Sequence, residues 1–371
     1  MSPESHAAAD GHATRQSITV TGTVQKQAWL DRVLPPVEKV RPGVWSVPTP
    51  FPMSPLRYVL AYLVETQRGP VLIDTGWPSA ESWDGLVAGV QETGHEISDV
   101  VAVLVTHFHA DHFGLAHRVR EASGAWIGMH EEDARTVSTF RSLAEFAAAD
   151  RAWQVRRGVP ADEIESMLPS PLAESQGRRR APDVFIEDGS RPLGDAGQLR
   201  AIWTPGHTPG HLCFVAERYN LLLTGDHVLP RISPNISPSP TSTADTLGIF
   251  LRSLSELAKI DAEVDEVLPA HEYRFSGLAA RVGQLHNHHR ERLREVLAVI
   301  ANADGCTTAE VAERLTWSRP WDQAHGIVRR SAIGETYAHL VYLERRSLIG
   351  NDANHADDID HWRLLGPARA E

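Results

Sequence analysis

The sequence predicts an α/β protein built on two packed sheets, followed by a helix-rich C-terminal region. Three observations carry that reading. Between about Ala28 and Leu278, short apolar runs alternate with stretches of helical spacing, and the alternation is run through twice. The run "VVAVLVTH" is continuously apolar, as a strand buried on both faces is. After Leu278 the texture changes to long amphipathic helices.

In the first set, "GVWSVPT", "YVLAYLVE" and "PVLIDTG" read as successive strands. Residues 80–94 have helical spacing and end at a glycine. "VVAVLVTH" follows, then a helix over about 115–122 and the strand "AWIGMH". The stretch 131–182 is rich in Ala, Glu and Arg and reads as an inserted helical lid. A second set of strands comes next: "DVFIED", "QLRAIWTP", "HLCFVAE", "NLLLTGD" and, after a helix over roughly 244–260, "EVLPAH". The C-terminal region offers three helices, the second opening on a capping box of Thr307 and Glu310, and a polar stretch that reads as a hairpin. The division expected is a flexible tail over 1–26, a catalytic domain over 27–280 and a winged-helix-like domain over 281–371.

Composition excludes several classes. The 371 residues carry a formal net charge of −12, which repels nucleic acid and anionic membrane. Two cysteines, Cys213 and Cys306, rule out a disulfide framework and a thiolate zinc site and fit a reducing, cytoplasmic compartment. No run of eighteen apolar residues exists to span a bilayer, and the N-terminus has no apolar core of an export signal. His6 and His12 read as solvated tail residues.

Chemistry gathers at strand ends, where α/β proteins place their ligands. "THFHADH" puts His107, His109, Asp111 and His112 directly after the buried strand. His107 and His109 share a face of an extended segment, and the chain then turns Asp111 and His112 back across the gap. Imidazole nitrogen and carboxylate oxygen are ligands of a divalent cation. A solvated polar loop is the alternative. Downstream, His207 in "TPGHTPGH", Asp226 in "TGDH" and His271 in "PAH" recur at further strand ends. His211 opens a strand, which carries it away from His207 into a supporting hydrogen bond; His227, adjacent to Asp226, points to the opposite face. His286, His288 and His289 lie on a helix and read as solvent-facing or as contacts to the catalytic domain, and Cys213 as a small buried group.

These residues resemble the metallo-β-lactamase superfamily. The resemblance rests on Asp74 in "LIDTG", the "THFHADH" loop, "TPGHTPGH", "TGDH" and "PAHEY", in that order over about residues 37–275. It implies a four-layer αββα sandwich with two divalent metals at one edge. It further implies that His107, His109 and His207 hold the first, that Asp111, His112 and His271 hold the second, and that Asp226 bridges them. Asp74 is then the buried carboxylate that orients the ligand loop. Such ligands accept zinc, iron or manganese, with zinc the default.

Two such cations roughly 3.5–4 Å apart share and acidify one water. Asp111 can orient that nucleophile and pass its proton to the leaving group, with Asp226 setting the metal spacing. The "TPGHTPGH" turn and "AHEY" resemble the glyoxalase II and thioesterase branch, and the C-terminal module resembles that of the mitochondrial lactamase-like endoribonuclease and of thioesterases from secondary metabolism. The acidic stretch "NDANHADDIDHW" is unlike a nucleic-acid wing. The expected substrate is therefore a small-molecule ester or thioester, with single-stranded RNA cleavage, lactonase or β-lactamase-like activity as alternatives. Arg57, Tyr58, Arg231 and Asn235, on two loops beside the expected site, are candidate substrate contacts. The run Arg178–Arg180 reads as a solvated loop or a grip on an anionic tail. An apolar face on "AIGETYAHLVYL" would support a homodimer if exposed and oppose one if fully buried.

Overall fold

The structure, a computed structural model, describes residues 17–52, 54–139, 142–168, 181–194, 199–303, 305–352 and 358–365. Residues 1–16 with His6 and His12, the run Arg178–Arg180 and residues 353–357 lie outside the described residues.

Two sheets face each other. The first has the order β2 (Glu38–Arg41), β3 (Val44–Pro50), β4 (Tyr58–Thr66), β5 (Gly69–Ile73), β6 (Ala102–Leu104), β7 (Trp126–Met129), β8 (Val184–Phe185). The second runs β1 (Thr19–Val20), β13 (Phe275–Ser276), β12 (Glu266–Pro269), β11 (Leu221–Gly225), β10 (Leu212–Ala216), β9 (Leu199–Trp203). Strand alternation explains why they stack. In β4, Leu60, Tyr62 and Val64 enter the core between the sheets while Leu63 faces outward. In β10, Leu212, Phe214 and Ala216 face inward while Cys213 and Val215 face outward. Both faces of these two central strands are apolar, so each sheet needs a second cover. Helices α2 (Ala80–Glu92) and α4 (Ala116–Ser123) cover the first sheet through Leu86, Val90 and Val119. Helices α8 (Thr246–Leu257) and α9 (Leu278–Asn302) cover the second through Phe250, Leu254 and Val282. The result is the expected four-layer αββα sandwich.

The sheets also hydrogen-bond to each other at one edge. Leu212 N–H donates to Thr106 O at 2.8 Å and Leu60 N–H to Ala270 O at 2.7 Å. The parallel pairs β5–β6 and β11–β12, in register at Ile73↔Leu104 and Gly225↔Pro269, deliver Asp74, His107, Asp226 and His271 to that edge.

The tail expected over 1–26 is corrected for its last residues. β1 pairs antiparallel with β13, and α1 (Thr23–Asp31) follows. The cause is Gln25, fully buried, whose amide donates to Ser46 Oγ at 2.9 Å and accepts from Arg274 N–H at 3.0 Å. A second finding concerns residue 280, the expected domain boundary, which lies inside α9. The first turns of that helix (Leu278, Val282, Leu285) belong to the core over the second sheet. Its last turns (Val296, Ile300) belong to a C-terminal core with α10 (Thr308–Arg314), α11 (Gly326–Glu344) and the antiparallel hairpin β14 (Ile349–Asn351)–β15 (Trp362–Leu364). From Ala332 to Leu343, the aliphatic residues of α11 are buried within the chain, and Tyr337 and Tyr342 are half-buried. No helix among the described residues is long and apolar enough to cross a membrane.

The insertion, read as a lid, contains α5 (Glu131–Thr139), α6 (Leu143–Arg156) and α7 (Ala161–Met167). Trp153, Ile164 and Met167 pack on Ala309, Ala312 and Ile333 of α10 and α11. Charge locks the same seam: Arg330 donates to Asp150 at 2.7 Å, and Arg157 and Arg156 meet the buried Asp360. Asp360→Ala strands the buried Arg157 guanidinium, and about 3 kcal/mol of stability is expected to be lost, measured by urea unfolding.

Candidate metal centre

The segment after β6 leaves the sheet at Thr106 and enters the short helix α3 (Ala110–Phe113) at once. That turn separates His107 and His109 from Asp111 and His112, and two groups of donors result.

In the first group His107 Nε2 lies 3.0 Å from His109 Nδ1, His207 Nε2 3.0 Å from His109 Nδ1, and His207 Nε2 3.2 Å from His107 Nε2. A tetrahedral cation with nitrogen ligands at about 2.0–2.1 Å has ligand–ligand edges of roughly 3.3 Å, close to this triangle. In the second group, His112 Nε2 is 3.5 Å from Asp111 Oδ2 and 3.5 Å from Asp226 Oδ1, while His271 Nε2 is 3.4 and 3.3 Å from the same two oxygens. Asp226 spans both, since its Oδ2 lies 3.6 Å from His207 Nε2.

The far side of each ring decides which nitrogen is free. His112 Nδ1–H donates to Asp74 Oδ2 at 2.8 Å, His207 Nδ1–H to Asn235 O at 2.5 Å and His271 Nδ1–H to Tyr58 O at 3.1 Å. His107 Nδ1–H donates to Thr106 Oγ1 at 3.0 Å, and that hydroxyl donates on to Asp74 Oδ2 at 2.7 Å. Each of these four imidazoles therefore turns Nε2, the nitrogen a cation would take, to the centre. His112 Nε2, His271 Nε2 and Asp226 Oδ1 are buried and have no hydrogen-bond partner. A buried lone pair without a donor is costly, and a cation shared among them removes the cost. The residues fit a metal.

Electrostatics divides the centre the same way. Burial, with the neighbouring rings, holds His107 well below the ordinary histidine range and takes His109 down to about 3. His207 is lowered by burial as well. In the other half burial is outweighed: Asp226 and Asp111 push His271 up to about 10, and His112 is also raised. Asp111 and Asp226 stay well below the usual carboxylate range despite burial, held there by the same imidazoles. The carboxylates thus create a demand for positive charge that a divalent cation can meet in place of protons.

The Metallo-beta-lactamase superfamily profile matches residues 54–271, more than half of the chain. The chain belongs to this superfamily. The lactamase-like protein adaB of Aspergillus niger is 28% identical over 280 residues, 74% of this chain and 69% of its own. The lactamase-like protein nscB of Aspergillus fumigatus is 27% identical over 242 residues, 64% of this chain and 55% of its own. A metallo-beta-lactamase family protein from Thermus thermophilus superposes with a TM-score of 0.73 at 28% identity, covering 88% of this chain and all of that one. A beta-lactamase domain protein from Burkholderia ambifaria gives 0.73 at 25% identity, covering 89% and 94%.

His211 accepts from Asp226 N–H at 3.2 Å through Nε2, with Thr204 Oγ1 2.8 Å from its Nδ1, and so braces the Asp226 loop. His227 points away from the centre to Ser253 Oγ and is fully buried. His289 is buried between His339 and Ser233, both of its nitrogens engaged, although His288, His289 and Glu335 also draw near one another. Tyr58 is corrected as a substrate contact: its side chain is fully buried and its hydroxyl is spent on Glu272 O at 2.8 Å. Asn235 is corrected in part, since its carbonyl orients His207 and its side-chain oxygen accepts from Ser237. Arg57 and Arg231 lie beside the His271 end of the centre.

One residue was missed. Asp133, in the first turn of α5 and fully buried, accepts from Phe108 N–H at 2.9 Å, Thr208 Oγ1–H at 2.9 Å and Gly210 N–H at 2.6 Å. It ties the loop of His107 and His109 to the turn of His207. Burial pushes its carboxyl up to about 7 against the pull of those donors. The backbone of that turn has no slack: Gly206 sits at φ +141° with Phe250 2.5 Å from where a Cβ would lie. Asp133→Asn sets an amide N–H₂ against a donor, and a roughly tenfold loss of cation affinity is expected, read by chelator competition with the fold checked by circular dichroism.

Proposed function

We propose that this chain is a binuclear metal-dependent hydrolase of small-molecule esters or thioesters. The observation that carries the reading is Asp226, whose two oxygens are divided between the three-histidine group and the group of Asp111, His112 and His271. His107, His109 and His207 would hold one divalent cation, Asp111, His112 and His271 the other, and Asp226 would touch both. Zinc is the default for such ligands. When bound, a cation pair lowers the pKa of water towards neutrality and polarises a carbonyl oxygen. Asp111, the least buried of the acidic donors, can take up a proton at its Oδ atoms and return it to the leaving thiolate or alkoxide.

Charge supports a small acyl substrate over RNA. The chain is acidic overall. Its three C-terminal helices and hairpin follow the order of a winged helix, yet the hairpin carries Asp352 beside Arg363, and Asp360 is buried in an internal ion pair. A basic wing for nucleic acid is not formed by these residues. The "TPGHTPGH" and "PAHEY" segments add the likeness to the glyoxalase II and thioesterase branch.

Purified protein is expected to contain two metals per chain by mass spectrometry and to hydrolyse acyl-thioesters, activity that a chelator removes and added zinc restores. Asp226→Ala is expected to lower the metal count and cut turnover at least about hundredfold. Cleavage of single-stranded RNA with thioesters, lactones and a chromogenic β-lactam all inert would overturn the substrate class; full turnover by the two-metal Asp226→Ala variant would overturn the assignment.

A further inference from the structure

A cluster of basic side chains, which includes Arg57 and Arg231, stands against the His271 end of the centre. The Arg57 guanidinium carbon lies 4.0 Å from the centroid of the Trp29 ring, and the Arg231 guanidinium carbon lies 5.6 Å from the same ring. Lys26, exposed on α1, holds its ammonium 5.9 Å from the centroid of the Tyr273 ring. Arg281 is within electrostatic reach of Tyr273 and Glu272. Glu272, fully buried, is the one acidic group among them; Arg231 Nη2 lies 2.6 Å from its Oε1. Four cations therefore gather about Trp29, Tyr273 and Glu272, in a chain whose net charge is −12; Arg57 is anchored on Trp29 O and Arg281 on Leu229 O and Ile232 O, which leaves Arg231 and Lys26 the more open charges.

The cluster is joined to the centre through two main-chain links. Arg57 directly precedes Tyr58, whose carbonyl orients His271, and Glu272 directly follows His271. Arg57 (φ 66°) and Glu272 (φ 70°) both adopt left-handed backbone, costly for side chains of this kind and held only because their surroundings demand it. The cations also come from different elements. Lys26 and Trp29 come from α1, Arg57 from the loop before β4, Arg231 from the proline-rich loop after Asp226, and Arg281 from α9. Arg231 remains open: its side chain is 56% exposed while it neutralises Glu272, so its unused N–H groups face solvent. Trp29 supplies an aromatic face on which a guanidinium stacks and stays pre-oriented.

We propose that this corner is a binding subsite for an oxyanion, the carboxylate or phosphate carried by the substrate at a distance from the bond that is cut. The proposal rests on the hydrolase reading above and extends it to the class of acyl compound. Bidentate guanidinium–oxyanion pairs give the site geometry as well as attraction. The lone buried carboxylate sets Arg231 in place and leaves the corner net positive.

The test compares four thioesters on the metal-loaded full chain: butyryl and glutaryl esters of coenzyme A, and the same two acyl groups on N-acetylcysteamine. Lys26→Gln and the paired change Arg231→Gln with Glu272→Gln, which removes the ion pair as a unit, are measured beside the parent, each with its metal count. The parent is expected to favour an anionic partner by on the order of tenfold in kcat/KM, a preference that weakens with added salt and shrinks towards unity in the variants. Preference for coenzyme A whatever the acyl group assigns the subsite to phosphate; preference for glutaryl on N-acetylcysteamine assigns it to a carboxylate. Equal use of all four by the parent, or a preference untouched by either variant, overturns the proposal. Should none of the four be hydrolysed, the thioester part of the hydrolase reading falls, and calorimetric titration of the same four compounds still decides: tighter binding of the anionic ones, lost in the variants, upholds the subsite, and equal binding removes it.

Discussion

The whole centre depends on hydrogen bonds made on the side of each imidazole that faces away from it. His107, His112, His207 and His271 each spend Nδ1–H on an oxygen, and each is thereby left with one lone pair and one direction for it. The acceptors are Thr106, Asp74, Asn235 and Tyr58, which come from separate segments of both sheets and their loops. A sandwich whose two sheets slid past each other by a single residue would lose the alignment. The main-chain bonds from Leu212 to Thr106 and from Leu60 to Ala270 prevent that slip at the edge where it would matter.

Burial then sets the chemistry. His107, His109 and His207, kept from water, favour the neutral form and hold their lone pairs ready, while two carboxylates in the same pocket favour a positive charge beside them. A cation would serve both, and would take up the lone pairs of His112 Nε2, His271 Nε2 and Asp226 Oδ1, which have no hydrogen-bond partner. Asp133 extends the arrangement outward, because one buried carboxylate secures two ligand-bearing turns at once.

The polar groups that converge on the centre were legible in the sequence because strand ends are. A polar residue after a continuous apolar run is delivered to the sheet's edge whatever the partners are; singly His207, Asp226 and His271 say little, and it is their recurrence after the dense "THFHADH" loop that made the centre readable. The four layers were legible for the same reason, since runs apolar at every position need cover on both sides. What could not be read was pairing at a distance. Asp133 looks like an ordinary acid in the first turn of a helix until Phe108, Thr208 and Gly210 are seen to converge on it. Tyr58 looks like a contact because its loop borders the centre, yet its hydroxyl turns inward to Glu272. Residues 17–31 lack a strong apolar period, and their order comes from Gln25 reaching Ser46 and Arg274.

Helix α9 belongs to two cores, with Val282 in one and Ile300 in the other, and the proline-rich loop that orients His207 hangs from it through Arg281, which donates to Leu229 O and Ile232 O. Heat or denaturant has no seam to open first. Loosening the far end of that rod tugs on the near end, so the C-terminal portion and the sandwich melt together, and a chain shortened before Ile300 would present cofactor-free, sticky polypeptide rather than a smaller enzyme.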